Sequence, residues 1–211
     1  MCSRVSLLTA LSFVASVAAC SGSADVPSMP DDVAAGLSTV SVADPLDDTF
    51  GLPGYTQWDV SAFTLTRETD GITVRLDFAN DVALPVPGDP NALVGLVEFD
   101  LDQNKTTGKL GYVDQLRPDG GSTGMGVDAV LNLSNIATDS TLVVYGSGGS
   151  PTGKAKVTIG GRRLTIRIPS SALGDDDGYL DAAVIVGNSG RSPTDLAPQS
   201  GHLSLTAPAA R

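Results

Sequence analysis

Three side chains that carry oxygen follow one another at a spacing of two residues: Asp100, Asp102 and Asn104. They stand where an apolar stretch gives way to a polar, glycine-containing one, so a strand is predicted to open into a loop here. Oxygen side chains that converge in such a loop, together with loop carbonyls, are typical ligands of Ca²⁺. We predict a structural calcium site, with Asp128 at the start of the next strand as a further ligand. The alternative interpretation is that these residues only cap the turn.

Three further segments concentrate acidic residues. The segment Asp44–Gly51 allows a second cation site or a solvated turn before the first strand, and we favour the turn. Asp175–Gly178 is predicted to be an exposed turn, because charge runs usually form solvated surface. Asp195–Gly201 is predicted to fix a loop against one end of the domain.

Residues suited to catalysis are scarce. His202 is the only histidine, and it lies on a strand-like stretch, where we expect a structural role rather than that of a base or a ligand. Glycoside hydrolysis needs two carboxylates in a cleft, and sugar sites add stacking aromatics. Aromatic residues make up only 5% of the chain, with Trp58 as the single tryptophan. We therefore predict no catalytic residues and no enzymatic activity.

The composition indicates many short strands joined by turns. The chain has 211 residues, with 24 Gly, 13 Pro and 41% hydrophobic residues, enough for one domain with a true core. Its formal net charge is -11, and all of its acidic residues except Glu68 and Glu98 are Asp, which favours turns and hard-cation sites over helices. An acidic surface argues against a nucleic-acid partner, which requires clusters of Lys and Arg.

The first residues have the pattern of an export signal. Arg4 precedes the apolar stretch Val5–Ser16, which is too short to span a membrane comfortably. Val17–Cys20 then resembles the lipobox of bacterial lipoproteins. This resemblance implies cleavage of a signal peptide at residues 1–19 and acylation of Cys20 with fatty acids such as palmitate. Several acyl chains on one residue would anchor the protein to the membrane at the cell envelope. The membrane would be the outer membrane in a diderm cell and otherwise the outer face of the cytoplasmic membrane.

The rest of the chain divides into a tether and a domain. Residues 20–43 hold the acylated cysteine and a flexible spacer rich in Ser, Ala, Pro, Asp and Gly. Residues 44–211 form the domain, in which strand-like alternation and turn signals predominate. Nine strands are predicted: 58–67, 72–78, 93–102, 127–133, 141–145, 156–159, 163–168, 179–186 and 202–206. We predict an all-β, antiparallel, jelly-roll-like sandwich, with a β-barrel as the alternative.

Scattered motifs resemble secreted bacterial domains of the DOMON and family 9 carbohydrate-binding-module group. They are Asp47–Gly51, Phe99–Gly108, Leu164–Gly174 and Asp195–Pro198. The resemblance implies a sandwich that binds a ligand or a partner without a reaction, often with structural calcium. It also implies methionine with histidine or lysine as ligands where haem is bound, and paired tryptophans where sugar is bound. Met125 lies in a Gly-rich segment and His202 stands alone, so we expect no haem. Trp58 alone cannot form the tryptophan pair, which argues against sugar binding of that kind.

These features lead to one leading hypothesis and two alternatives. The leading hypothesis is a lipid-anchored, non-catalytic β-domain with a calcium-stabilised loop, which binds a ligand or a partner, such as an envelope protein or a glycan, at the cell envelope. The first alternative is a carbohydrate-binding or polysaccharide-processing accessory lipoprotein that uses Trp58, Tyr112 and the Asp-rich loops. The second is a purely structural envelope protein. The residues that would bind a ligand are not evident from the sequence.

Overall fold

The structure is a computed structural model. It describes residues 38–50, 58–83, 86, 88–174, 179–190 and 193–206. The predicted signal peptide, Cys20 and the acidic turn Asp175–Gly178 lie outside the described residues.

Eleven strands form the described part of the chain, and every pairing between them is antiparallel. They are β1 (Ser38–Ala43), β2 (Val60–Glu68), β3 (Gly71–Phe78), β4 (Leu93–Asp100), β5 (Ala129–Asn132), β6 (Thr141–Gly146), β7 (Pro151–Gly160), β8 (Arg163–Pro169), β9 (Leu180–Asn188), β10 (Asp195–Ala197) and β11 (Leu203–Leu205). One short helix, α1 (Tyr112–Leu116), and two 3-10 turns, Leu133–Asn135 and Ser170–Leu173, complete the regular structure of these residues.

The strands form one continuous sheet in the order β1-β2-β3-β8-β7-β6-β5-β4-β9-β10, and β11 also pairs with β9. The sheet curves until its ends approach each other, because β2 contacts β10 and β1 contacts β11. We call this junction the seam. The sheet is thus nearly closed into a barrel, and the predicted all-β antiparallel fold class, sandwich or barrel, is confirmed. The described residues form eleven strands, rather than the roughly nine that were predicted.

Alternation of apolar and polar residues explains most of the strands. In β3, Ile72, Val74, Leu76 and Phe78 are buried in the main core. The alternate residues Thr73, Arg75 and Asp77 are only partly buried, as a half-buried strand requires. β8 repeats the pattern with Leu164, Ile166 and Ile168, and it pairs with β3. These inward rows fill the interior of the curved sheet.

Strand β9 differs, because all nine of its residues are buried. Its inward side chains, such as Val184 and Val186, join the main core. Its outward residues Ala183 and Ile185 belong to a second apolar cluster with Val113 of α1. The segment that carries α1 therefore covers the outer face of the sheet at β9, which explains the continuous apolar run in the sequence.

Three predicted boundaries need correction. The spacer was expected to extend to residue 43, but Ser38–Ala43 is strand β1, whose Val40 and Val42 pack against the core. The segment 104–126 was expected to be a long irregular loop, but it contains α1 and is tied back by the bridge between Lys109 and Val127. The strand predicted to begin at Val127 begins at Ala129.

Candidate functional site

Three of the four residues predicted to bind calcium lie together. Asp100 ends β4, Asp102 follows it in the loop, and Asp128 directly precedes β5. Because β4 and β5 are antiparallel partners, with Phe99 opposite Ala129, the end of one strand faces the start of the other. One carboxylate oxygen from each aspartate lies within 4.8 Å of the other two. We call this group the Asp100 cluster.

Main-chain amides hold the carboxylates of the Asp100 cluster in place. Gly126 donates to Asp100 Oδ2 at 2.8 Å, and Leu101 donates to Asp128 Oδ2 at 3.0 Å. Gly126 must be glycine, since a Cβ at this position would overlap the carbonyl oxygen of Thr107. The loop therefore folds back on itself so closely that the Asp100 carboxylate meets a backbone amide from the far end of the loop.

Asn104, the fourth predicted ligand, has a different role. Its side-chain oxygen accepts hydrogen bonds from the Thr106 amide at 3.1 Å and the Thr106 hydroxyl at 2.6 Å. Its main-chain amide donates to Asp100 Oδ1 and Asp102 Oδ1. The backbone of Asn104, rather than its side chain, thus faces the two carboxylates, and this agrees with the turn-capping interpretation for that residue.

The surroundings of the Asp100 cluster shift the pKa values of Asp100 and Asp102 in opposite directions. Burial raises the pKa of Asp100, and the neighbouring Asp102 and Asp128 add to this rise. The hydroxyl of Thr107, which donates to both carboxylate oxygens of Asp102, lowers the pKa of Asp102. A cation placed among the three oxygens would offset the repulsion between Asp100 and its neighbours.

A second group of carboxylates lies at the seam of the sheet. Asp44 follows β1, Asp48 lies in the next loop, Asp59 precedes β2, and Asp195 begins β10. One oxygen each of Asp44, Asp48 and Asp195 lies within 4.8 Å of the other two. We call these four residues the seam cluster. The sequence pattern places Asp44 and Asp48 in one acidic segment and Asp195 in another. It does not single out Asp59, for which the position directly before a strand is the available signal.

A groove of about 610 Å³ runs beside α1 on the outer side of β4 and β5. Its walls include Leu110, Tyr112, Val130 and Tyr145, and Tyr112 is 54% exposed. At its base the buried Glu98 accepts hydrogen bonds from the amides of Tyr112, at 2.6 Å, and Val113, at 3.1 Å. Burial raises the pKa of Glu98. The volume of this α1 groove is in the range of small-ligand sites.

Trp58, which the sugar-binding alternative uses, is a core residue. It is 2% exposed, its indole N–H donates to the carbonyl of Asn91 at 3.0 Å, and its ring packs edge-on against Phe78 at 5.9 Å. A buried ring has no face left for a sugar. The assignment of Trp58 to a binding platform is therefore wrong, whereas Tyr112 lines the α1 groove.

The residues that resemble hydrolase machinery are not assembled. Gly120–Gly124 has the spacing Gly-x-Ser-x-Gly, but it lies in the loop after α1 and not at a strand-to-helix elbow. Ser122 Oγ donates to Asp114 at 2.8 Å. The ring nitrogens of His202 lie 2.7 Å from the Thr123 carbonyl and 3.3 Å from Asp181. His202 is thus held by Thr123 and Asp181, as expected for a structural histidine.

Among the described residues, no helix is long and apolar enough to cross a membrane. Comparison of the chain with protein-family models, with curated proteins and with solved structures found no match.

Proposed function

We propose that the chain is a lipid-anchored, non-catalytic β-domain at the cell envelope, in which Ca²⁺ orders the loop after β4 and which binds a ligand or a partner. The observation that carries this proposal is the convergence of Asp100, Asp102 and Asp128. Their oxygens come from a strand end, a loop and the start of the neighbouring strand, so one cation would link all three segments. An all-oxygen ligand set suits a hard cation such as Ca²⁺ and not the softer transition metals.

The anchor is argued from the sequence. The lipobox-like Val17–Cys20 follows a short apolar stretch, and the polar residues Ser21–Ser23 come next. Since the described body starts with β1 at Ser38, residues 21–37 would connect the lipidated cysteine to the first strand. A flexible connection of this kind allows a domain to face away from the lipid surface.

The calcium proposal is tested by thermal unfolding of the full chain in EDTA and in excess Ca²⁺. We expect Ca²⁺ to raise the midpoint, because an ion that binds only the folded state stabilises it. Asp102→Asn should reduce this rise. Asp139→Asn is the matched control, since Asp139, like Asp102, accepts from one main-chain amide and one threonine hydroxyl but stands outside both clusters. A wild-type midpoint that is the same in EDTA and in Ca²⁺ would refute the proposal.

A carbohydrate-binding role is the second candidate, and the α1 groove favours it. The groove combines the exposed ring of Tyr112 with polar side chains, including Lys109 and Asn132. Binding of the full chain to a glycan array tests this role. Tyr112→Ala should abolish any signal, whereas Tyr179→Ala, an exposed tyrosine outside the groove, should retain it. A signal that survives Tyr112→Ala would exclude the groove as the sugar site.

A further inference from the structure

The seam cluster joins the two ends of the sheet. Asp44 and Asp59 belong to the β1–β2 side, whereas Asp195 belongs to β10 on the opposite side. Between these sides the Val60 amide donates to Asp195 Oδ2 at 2.6 Å, and the Phe50 amide donates to the Thr194 carbonyl at 2.7 Å. The carboxylates therefore lie where the barrel-like sheet closes.

Among the described residues, several oxygens of this cluster receive no hydrogen bond. They are Asp44 Oδ2, Asp48 Oδ1 and Asp59 Oδ1, and each is buried. Asp44 is only 7% exposed and Asp59 only 2%. A buried carboxylate oxygen without a donor or a cation is costly, and few remain unsatisfied in folded proteins. Three such atoms in one group indicate that a positive partner belongs there.

The electrostatic surroundings of the cluster are acidic. The charges that act on the Asp44 carboxyl are those of Asp195, Asp48 and Asp59. With burial as the main cause, the pKa of Asp44 rises to about 8 and that of Asp195 to about 7. The arrangement contrasts with the Asp100 cluster, in which backbone amides and the Thr107 hydroxyl satisfy the oxygens.

We propose that Asp44, Asp48 and Asp195 bind a second Ca²⁺ ion, with Asp59 as the fourth carboxylate of the site, and that this ion closes the seam of the sheet. Ca²⁺ accepts six to eight oxygen ligands in flexible geometry, so carboxylates from three separate segments suit it. Asp195 uses each of its oxygens for one amide, from Val60 and from Leu196, and a carboxylate oxygen has a further lone pair for the ion. This site is independent of the calcium proposed at the Asp100 cluster.

Terbium luminescence tests the site directly, because Tb³⁺ replaces Ca²⁺ and is sensitised by a nearby indole. Trp58 is the only tryptophan and immediately precedes Asp59. With excitation selective for tryptophan, the full chain in detergent should give a Tb³⁺ signal that excess Ca²⁺ displaces. Asp48→Asn should weaken the binding of Tb³⁺ and Ca²⁺ at this site at least ~10-fold. Loss of a side chain that only hydrogen-bonds to a metal ligand already costs about that much affinity, and a direct ligand should cost no less. Asp102→Asn, in the other cluster, should retain the signal.

Calorimetric counting of bound Ca²⁺ completes the test. Asp44→Asn and Asp48→Asn should each bind one ion fewer than the wild type, and Asp139→Asn should bind the wild-type number. Circular dichroism in EDTA verifies that each variant is folded, and Asp48→Asn decides the outcome where Asp44→Asn fails to fold. The proposal is overturned by a wild type without a displaceable Tb³⁺ signal, or by an Asp48→Asn protein with the wild-type Ca²⁺ count. Loss of calcium only in Asp102→Asn would leave the Asp100 cluster as the single site.

Discussion

Asp195 in β10 accepts a 2.6 Å hydrogen bond from the amide of Val60 in β2, a residue 135 positions earlier in the chain. Its second oxygen accepts from the Leu196 amide at 2.8 Å. One fully buried carboxyl thus satisfies an amide on each side of the seam and links the two ends of the sheet.

Asp195→Ala should lower the free energy of unfolding by about 1–3 kcal/mol, because it leaves the buried amides of Val60 and Leu196 without an acceptor. The measurement is urea unfolding in EDTA at pH about 5, below the raised pKa values of Asp44 and Asp195, so that charge repulsion between these two groups is small. Asp81→Ala is the control, since Asp81 is 83% exposed, and it should change the free energy by no more than about 0.5 kcal/mol. Equal free energies for Asp195→Ala and the wild type would contradict the role of this hydrogen bond.

In the metal-free protein, the seam carboxyls should make the free energy of unfolding depend on pH. The pKa of Asp44 is about 8 in the folded chain against an ordinary value of 3.8, so the folded state holds a proton that the unfolded state releases. The contribution of Asp44 is therefore present below the ordinary value and is lost as pH rises through the folded pKa. Asp195, Asp48 and Asp59, which face Asp44, act in the same direction on its pKa.

Asp44→Asn should consequently gain stability relative to the wild type as pH rises from about 4 to 8 in EDTA. Urea midpoints of both proteins across this range give the difference, in which the titration of groups far from the seam cluster cancels. Excess Ca²⁺ should reverse the trend in the wild type, since binding competes with protons. A difference that stays constant with pH in EDTA would show that Asp44 ionises as freely as in the unfolded chain.

Trp58→Ala should destabilise the fold by about 3–5 kcal/mol, the usual cost of removing a large buried aromatic side chain. The substitution also leaves the Asn91 carbonyl without its donor. Denaturant unfolding measures the cost, and Tyr112→Ala, with its half-exposed ring, should cost far less. A stable Trp58→Ala protein with altered ligand binding would contradict the core assignment.

Glu98 should control the order of α1. Glu98→Ala removes the acceptor of the Tyr112 and Val113 amides, and we expect a loss of about 1–3 kcal/mol. Hydrogen exchange should accelerate at these two amides more than in β3, because α1 opens locally. Unchanged exchange at Tyr112 and Val113 would mean that packing of Val113 alone holds the helix.

Cys20→Ser should release the protein from the membrane fraction, since the acyl chains would have no attachment site. Cys2→Ser is a matched control, because Cys2 lies in the segment predicted to be removed. Fractionation of cells that express each variant gives the result. Retention of Cys20→Ser in the membrane fraction would contradict acylation at this residue.

The sequence predicted the parts of the fold that depend on local pattern. Alternation located β3 and β8, and the apolar run Leu180–Val186 located β9. Strand β1 was missed because its Ser, Thr, Val and Ala residues have the composition of a spacer. Its alternation of Val40 and Val42 with polar residues was the signal available. Strand β10 was missed because three residues are too few to show a period.

The two acidic clusters also differ in how well local sequence patterns predict them. Asp100 and Asp128 belong to strands that are neighbours in the chain, so antiparallel pairing alone suggests that they meet. Asp44 and Asp195 come together only because the whole sheet curves back on itself, which no local pattern reveals. Trp58 was misassigned for a related reason, since the type of a residue does not show whether tertiary packing will bury it.

The position of β1 has a mechanical consequence if the chain carries the proposed lipid tether at Cys20. A force between the membrane and a bound partner would act first on the six residues of β1 and on their pairing with β2. Asp44 lies at the far end of the β1–β2 ladder. A Ca²⁺ ion bound there would strengthen this end of the ladder. The calcium concentration around the domain would then set the force at which β1 separates from β2.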